Sequence, residues 1–346
     1  MRRNSMNILI IGGTGLISTS ISRQLLEAGH NLTLFNRGQT ESRVDGKYEH
    51  IRGDRNNRTV FEEKIAAAGP FDCVIDMVCY KPEQAESTIR ALTGKTGQLI
   101  FCSTVDVYTK PPATFPVLES HPRESLSDYG REKAACEDVF MAAHHAGHFP
   151  VTILRPASTY GEGGTIIHSL GSDTYFLDRI RQGKPVIVHG DGESLWVSCH
   201  VDDVARAFVN AAGNDTAFGK VYHLAGEEWQ TWNQYHERLA AAIGAPKPKI
   251  VHIPAEVLAR ITPENAIVTY LNFQYTNIFD NSAAKRDLGF EVTVDWLSGS
   301  KRTYDWLNEH HRIEDWQSFP FYDQLIEGYR QQCNKLVAGL AGLNNH

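Results

Sequence analysis

No stretch of this chain approaches the roughly 18 consecutive apolar residues of a membrane span. The run Ile8-Leu9-Ile10-Ile11, behind Met1-Arg2-Arg3, stops at Gly12, too short for the apolar core of a secretory signal, which needs about seven or more. Basic residues are in the minority, 34 Lys and Arg against 41 Asp and Glu, for a net charge of −7. That is the wrong sign for a protein built to coat a phosphate backbone, so nucleic acid is an unlikely partner. The six cysteines (Cys73, Cys79, Cys102, Cys136, Cys199, Cys333) include no C-x-x-C pair. Neither a disulfide framework nor a zinc site is expected; they read as buried, reduced thiols of a cytoplasmic protein. His144, His145 and His148 have no carboxylate or Cys following in register and suit a helix C-terminus better than a metal centre, so no metal is expected. Glycine and proline are at ordinary levels, and low-complexity linkers and internal repeats are absent.

What the chain does have is a rhythm. Short apolar runs at Asn7–Ile11, Asn31–Phe35, Phe71–Val78, Gln98–Cys102 and Val151–Leu154 alternate with amphipathic stretches such as Leu16–Ala28. Runs of this kind between helices predict βαβ units and a parallel sheet buried on both faces, an α/β doubly wound (Rossmann) fold. After Tyr160 the rhythm breaks. A helix entered through Asp202 is expected over His200–Asn210, Lys220–Leu224 is a further edge-strand candidate, and from about Glu227 the chain looks mostly helical. The domain reading is residues 1–160 plus about 197–226 for dinucleotide binding. Residues 161–196 plus 227–346 form a smaller, mostly helical substrate lobe.

Gly12-Gly13-Thr14-Gly15-Leu16-Ile17-Ser18 follows the first strand and opens the first helix. Gly12 permits the tight turn, Gly15 lets pyrophosphate approach the backbone, and the helix N–H groups face the anion. Ser18 replaces the third glycine with another small residue. The second strand ends in Asn36-Arg37 rather than the acid that usually accepts a ribose 2′-OH. NAD and NADP are both open, with NADP mildly favoured, because Arg37 can pair with a 2′-phosphate or merely stack on adenine. Asp54, after the third strand, could accept the adenine amino group. Tyr129 and Lys133 form a Tyr-x-x-x-Lys pair, which on a helix shares one face. A neighbouring ammonium is expected to lower the phenol pKa and make Tyr129 a usable base.

Taken together, Gly12–Ser18, Asp54, Ser103-Thr104 with Val107-Tyr108, Tyr129 with Lys133, and Leu154-Arg155-Pro156 form a pattern. Gly190-Asp191-Gly192, His200-Val201-Asp202-Asp203 and the late Phe279–Phe290 block extend it. The chain resembles the extended or atypical short-chain dehydrogenase/reductases, the NAD-dependent epimerase/dehydratase superfamily. Asn36-Arg37-Gly38 and the late block are also similar to the atypical branch containing chloroplast stem-loop RNA-binding proteins. The resemblance implies Tyr129 as acid/base, Thr104 as the hydroxyl that polarises the substrate oxygen, and Lys133 as holder of the nicotinamide ribose. It further implies cofactor contacts from Thr14, Leu16, Ile17, Arg55 and Pro156, and a homodimer through helices around Glu83–Leu92 and Asp128–Ala143. Departures fall on the substrate side. Asp76-Met77-Val78-Cys79 replaces the usual strand end, and Trp196 stands where many nucleotide-sugar enzymes carry a phosphate-binding Arg. Cys79, Tyr80, Asp106, His168 (with Tyr175) and Trp196 are the candidate substrate contacts, a sugar-like molecule the expected substrate.

Two classes of function compete, an enzyme that transiently oxidises a carbinol and a non-catalytic RNA-binding scaffold. The intact Thr104–Tyr129–Lys133 set and the net charge favour the enzyme. Dehydratases place an acid two residues after the catalytic Thr. Here that is the short Asp106, with Val105 between them, so epimerase-type chemistry is expected ahead of dehydration or simple dehydrogenation.

Overall fold

A computed structural model of the chain describes residues 5–341. Six strands and four helices alternate through its first half: β1 (Asn7–Ile11), α1 (Leu16–Glu27), β2 (Asn31–Asn36), β3 (Glu49–Arg52), α2 (Arg58–Ala68), β4 (Cys73–Asp76), α3 (Pro82–Leu92), β5 (Leu99–Cys102), α4 (Asp128–His145) and β6 (Val151–Pro156). With the edge strand Lys220–Leu224 they form a seven-stranded parallel sheet, ordered from that edge as β6-β5-β4-β1-β2-β3. The order reverses direction beside β1, which opens a crevice at the C-terminal strand ends, where ligands of open α/β sheets bind.

The apolar runs are continuous because both sheet faces are covered. Ile8 and Ile10 pack on one side with Leu25, Ile75 and Phe208. Leu9 and Ile11 point to the other, with Phe61, Phe101 and Phe140. Helix Val201–Ala211 starts at His200 rather than at Asp202: the His200 Nδ1 accepts the Asp202 N–H at 3.2 Å and caps the helix. Asp202 is turned instead toward α1, accepting from Ser20 Oγ (2.9 Å) and Arg23 (2.7 Å). The His200 Nε2 lies 3.2 Å from Glu162, so the His200 side chain and the Asp202 carboxylate are engaged in this polar knot.

The chain divides into two compact units. The first runs to Gly164 and takes in Val197–Trp229 and Asn277–Gly299; the second holds Thr165–Trp196, Gln230–Thr276 and the chain from Ser300 onward. The return of Asn277–Gly299 to the first unit departs from the expected division at residue 227. The segment is tied there by hydrogen bonds, Val117 N–H donating to Ile278 O (2.8 Å) and Asn281 exchanging two with the Ala225 backbone (2.8 and 3.2 Å), and by Phe279, Leu288 and Phe290, which are buried in the first unit's core clusters. In the second unit two short strands, Val186–His189 and Ile250–Ile253, pair in parallel beside helices that include Phe321–Ala341. No described helix is long and apolar enough to cross a membrane.

Candidate active site

The glycine turn is shaped by close approach. Gly12 has φ +89°, and a Cβ there would lie 2.4 Å from Val78 Cγ1. Its N–H donates to Phe35 O at 2.8 Å, tying the turn to β2. Gly15 is the extended N-cap of α1, and its N–H donates to Ser18 Oγ (2.8 Å). A Cβ on Gly15 would meet nothing nearer than that hydroxyl, at 3.4 Å, so the space in front of the helix is open. The first-turn N–H groups of Leu16 and Ile17 have no partner within a helix and aim into it. Gly12→Ala combines a positive φ with a clash, so it is expected to cost about 1–3 kcal/mol of stability and to weaken dinucleotide binding at least tenfold. Thermal melts and a nucleotide titration check both.

Two cavities meet at this turn. One, of about 410 Å³, is lined by Gly12, Thr14, Gly15, Asn36, Arg37, Asp54 and Arg55. The other, of about 320 Å³, is lined by Leu16, Ile17, Tyr80, Thr104, Tyr129, Lys133 and Pro156, among others. The residues expected at the cofactor thus surround one cleft in the first unit. Arg55 is the exception in kind. Its guanidinium bonds both oxygens of buried Asp76 (2.7 and 3.0 Å), Thr88 Oγ1 and Gln84 O. It lines the wall but its charge is consumed, and Asp76 raises its pKa against the burial that lowers it. Asp54 Oδ1 accepts the Asn56 N–H (2.9 Å), while Arg37 is exposed at the rim.

The catalytic end is assembled by one helix start. The Ser127 hydroxyl caps α4 by accepting the Gly130 N–H (2.9 Å) and donates to Asp106 Oδ2 (2.5 Å). Gly130 lets α4 press against the preceding turn, since a Cβ there would stand 2.3 Å from Asp106 O. Thr104 Oγ1 accepts the Asp106 N–H (3.1 Å), which leaves its own proton free for another oxygen. The Thr104 hydroxyl stands beside the Tyr129 phenol and favours its ionised form. Ser127 and Gly130 were missed from sequence; a Ser ahead of an amphipathic helix is the N-cap signal that could have found the first.

Lys133 does not behave as expected toward Tyr129. Its buried Nζ donates to Cys79 O (2.9 Å) and Cys102 O (2.6 Å), between the rings of Tyr80 (4.9 Å) and Phe101 (4.6 Å). The phenol pKa is raised, not lowered: burial dominates, with Cys102, Tyr80 and Asp106 adding to it and only the neighbouring Thr104 hydroxyl opposing. The residue as a whole is 46 % exposed and lines the cleft. In this state Tyr129 holds its proton at neutral pH.

The candidate substrate contacts separate. Tyr80 is 43 % exposed and its ring stands 6.4 Å from that of Tyr129, giving the cleft an aromatic mouth. The Cys79 side chain is fully buried with its Sγ 3.8 Å from Cys136 Sγ, so only its carbonyl serves the site. Asp106 is buried and its pKa raised by that burial, against the pull of Lys110 and Ser127. His168 and Trp196 belong to the second unit. His168 stacks on Phe176 at 4.4 Å beside Tyr175, and burial pushes its pKa down to about 3. Trp196 packs 5.0 Å from both Trp232 and Phe273. Both are core residues of the second unit, 1 % and 4 % exposed, because large aromatics supply that unit's interior.

Residues 8–225 match the profile of the NAD dependent epimerase/dehydratase family. The chain belongs to that family, and it is an enzyme. Among relatives of this family member, the 2′-dehydrokanamycin reductase of Streptomyces kanamyceticus is 29% identical over 73% of this chain and 71% of its own length. The chloroplast stem-loop binding protein of 41 kDa b of Arabidopsis thaliana is 31% identical over 71% of this chain and 65% of that protein. The UDP-glucose 4-epimerase of Thermotoga maritima, solved with UDP-glucose, superposes with a TM-score of 0.72 over 88% of this chain and 100% of that one, at 21% identity. That last likeness is one of fold. The open approach at Gly15, the unpaired first-turn N–H groups and a cleft with hydroxyls at one end all fit the family's dinucleotide.

Proposed function

We propose that this family member interconverts a carbinol and a ketone on a sugar-like substrate, in epimerase-type chemistry. The observation that carries this is the use of Asp106. The acid standing where a dehydratase needs a base is buried under the α4 cap, bonded to Ser127, while Tyr129 and Thr104 meet at the open end of the cleft.

The bound dinucleotide supplies the hydride acceptor and donor. The chain's own residues handle the proton and the geometry. Thr104, with one lone pair taken by the Asp106 N–H, points its own proton at the substrate oxygen. Tyr129 gives and takes the proton on that same oxygen. Lys133, Leu16, Ile17, Pro156 and the Gly12–Gly15 turn hold the nicotinamide half. Arg37, Asn36 and Asp54 hold the adenosine half, with no carboxylate at the end of β2 to demand an unphosphorylated ribose.

Running a panel of keto sugars and aldoses in deuterated water with wild type and Asp106→Asn tests the reading. Epimerisation without solvent deuterium at the carbon next to the ketone is expected, in both proteins. Deuterium incorporated there by wild type and lost in the variant would make Asp106 a base and the chemistry a dehydration. A second reading, net reduction of a ketone, is favoured by the reductase of Streptomyces kanamyceticus. Consumption of one reduced dinucleotide per turnover would select it, whereas cycling on a catalytic amount selects epimerisation. Stem-loop binding, the property in the Arabidopsis relative's name, is disfavoured by the net charge of −7 if the stem-loop is nucleic acid.

A further inference from the structure

The helix Phe321–Ala341, in the second unit, carries one apolar stripe along its whole length, and only the first half of that stripe is covered. Tyr322, Leu325 and Ile326 are buried, and the Tyr322 hydroxyl is anchored by accepting the Ile187 N–H (2.6 Å). Tyr329 and Cys333 are half-buried, and from Asn334 to Ala341 every residue is exposed. At about 100° per residue, Tyr322, Ile326, Tyr329, Cys333, Leu336 and Leu340 fall on one side of the helix, so the exposed half continues the face that the first half buries. There Leu336, Val337 and Leu340 are 62 %, 67 % and 52 % exposed. A stretch this short, with solvent on every side, does not hold its helical form by local propensity, and Asn334, Val337 and Gly339 are poor helix formers. We propose that this projecting half is a self-association surface, which pairs antiparallel, about a two-fold axis, with the same helix of a second copy of the chain.

The sequence of the stripe suits a copy of itself. Its steps of four and three residues in turn are those of a seam between two helices. Laid antiparallel, Cys333 falls level with the partner's Leu336 and Tyr329 with the partner's Leu340, and the two-fold axis repeats both layers. The flanks of the seam are Arg330, Gln332, Val337 and Gly339, so Arg330 is their one charged residue. This pairing sets Arg330 level with the C-terminal turn of the partner's helix, the negative end of its dipole, and lays the arginine stem along the partner's Val337. A Cβ on Gly339 would meet nothing within 4 Å, which leaves that flank open to a neighbour. A membrane surface is the poorer occupant. The exposed half offers it only Arg330 and Lys335, where an interfacial helix presents a row of cations. Two turns of seam bury much less than the roughly 800 Å² per partner of a standard interface, so the contact is reversible, with a Kd of about 1–100 μM. It is separate from any pairing through Glu83–Leu92 and Asp128–Ala143, which belong to the first unit.

Sedimentation velocity of the full chain across a concentration series tests this, with wild type beside the double variant Leu336→Glu/Leu340→Glu. Wild type is expected to show a concentration-dependent doubling of mass that the variant weakens at least about tenfold, with melting temperature and turnover unchanged. Chemical crosslinking gives the register independently. Cys333 is the one cysteine of the six that is not buried, and antiparallel pairing brings the two copies of it within about one helical turn along the axis. A short bismaleimide should therefore join wild type into a covalent dimer and leave Cys333→Ser monomeric under denaturing conditions. In Cys333→Ser/Leu340→Cys the two thiols would lie about 17 Å apart along the axis, so no crosslink is expected, whereas parallel helices would bring them together. Efficient crosslinking of that variant would overturn the antiparallel arrangement. Undiminished association of the double Glu variant, or no crosslink through Cys333, would overturn the surface. Co-sedimentation with phosphatidylserine vesicles, lost in the double Glu variant, by a protein that shows no self-association would assign the stripe to a membrane instead.

Discussion

Tyr129→Phe is expected to lower kcat by about 10²–10⁴, the usual worth of a positioned general acid or base, with dinucleotide affinity changed less than about threefold. The size follows from where the hydroxyl is. It stands beside Thr104 in a cleft-lining residue that is 46 % exposed. Removing one oxygen deletes the proton donor and leaves α4 unchanged, because the helix start is held by Ser127, Asp106 and Gly130 and not by the phenol. The drop should appear equally in kcat and kcat/KM, the mark of an interaction made in the transition state. The raised phenol pKa adds a direction. With the proton held at neutral pH, the ketone-reducing half-reaction finds its acid ready. The oxidising half-reaction must first have the phenol ionised, so its rate should rise with pH where reduction stays flat. Single-turnover rates in each direction, measured across pH with wild type and variant, check this. A Tyr129→Phe protein retaining a tenth or more of the wild-type kcat would remove Tyr129 from the chemistry.

Much of this was legible in the sequence because it is local. Ile8–Ile11 must be a strand buried on both faces, and the glycines after it must be a turn, since adjacent residues impose both. Lys220–Leu224 could be read as an edge strand for the same reason, and it pairs with β6. What failed was set by partners distant in sequence. Arg55 reads as a cofactor ligand beside Asp54, but its charge answers Asp76 across the wall of the cleft. Trp196 sits at a position suited to a substrate until Trp232 and Phe273 close around it. Lys133 shares a helix face with Tyr129, as the spacing requires, yet two backbone carbonyls and two rings outcompete the phenol for its ammonium. Spacing tells which side chains can meet; it does not tell which competing acceptor wins.

Glu137→Ala is expected to be the most destabilising of the substitutions discussed, by about 3–5 kcal/mol. Glu137 and Arg155 are 1 % and 2 % exposed. The carboxylate accepts from Arg155 Nε (2.8 Å) and Nη2 (2.6 Å) and from Arg123 Nη1 (2.8 Å), joining α4 to β6. Arg155 Nη1 reaches on to the Tyr108 hydroxyl and Glu119 O, and Tyr108 to His223. Truncation strands a guanidinium that cannot lose its proton in a site that cannot hydrate it, which is the costly half of a buried ion pair. At about 2–4 °C per kcal/mol for a domain of this size, the melting temperature should fall by roughly 6–20 °C. The double variant Glu137→Leu/Arg155→Met should recover part of that loss, because it removes both charges and refills the volume. The active site gives a second readout. Lys133 lies one turn before Glu137 on α4, and Pro156 follows Arg155 at the cleft, so the single variant should lose activity below its melting temperature while the double variant regains stability ahead of turnover. If Glu137→Ala melted within about 2 °C of wild type, the pair would contribute little net stability, and the docking of α4 would have to be credited to Phe140, Cys136 and the Ser127 cap instead.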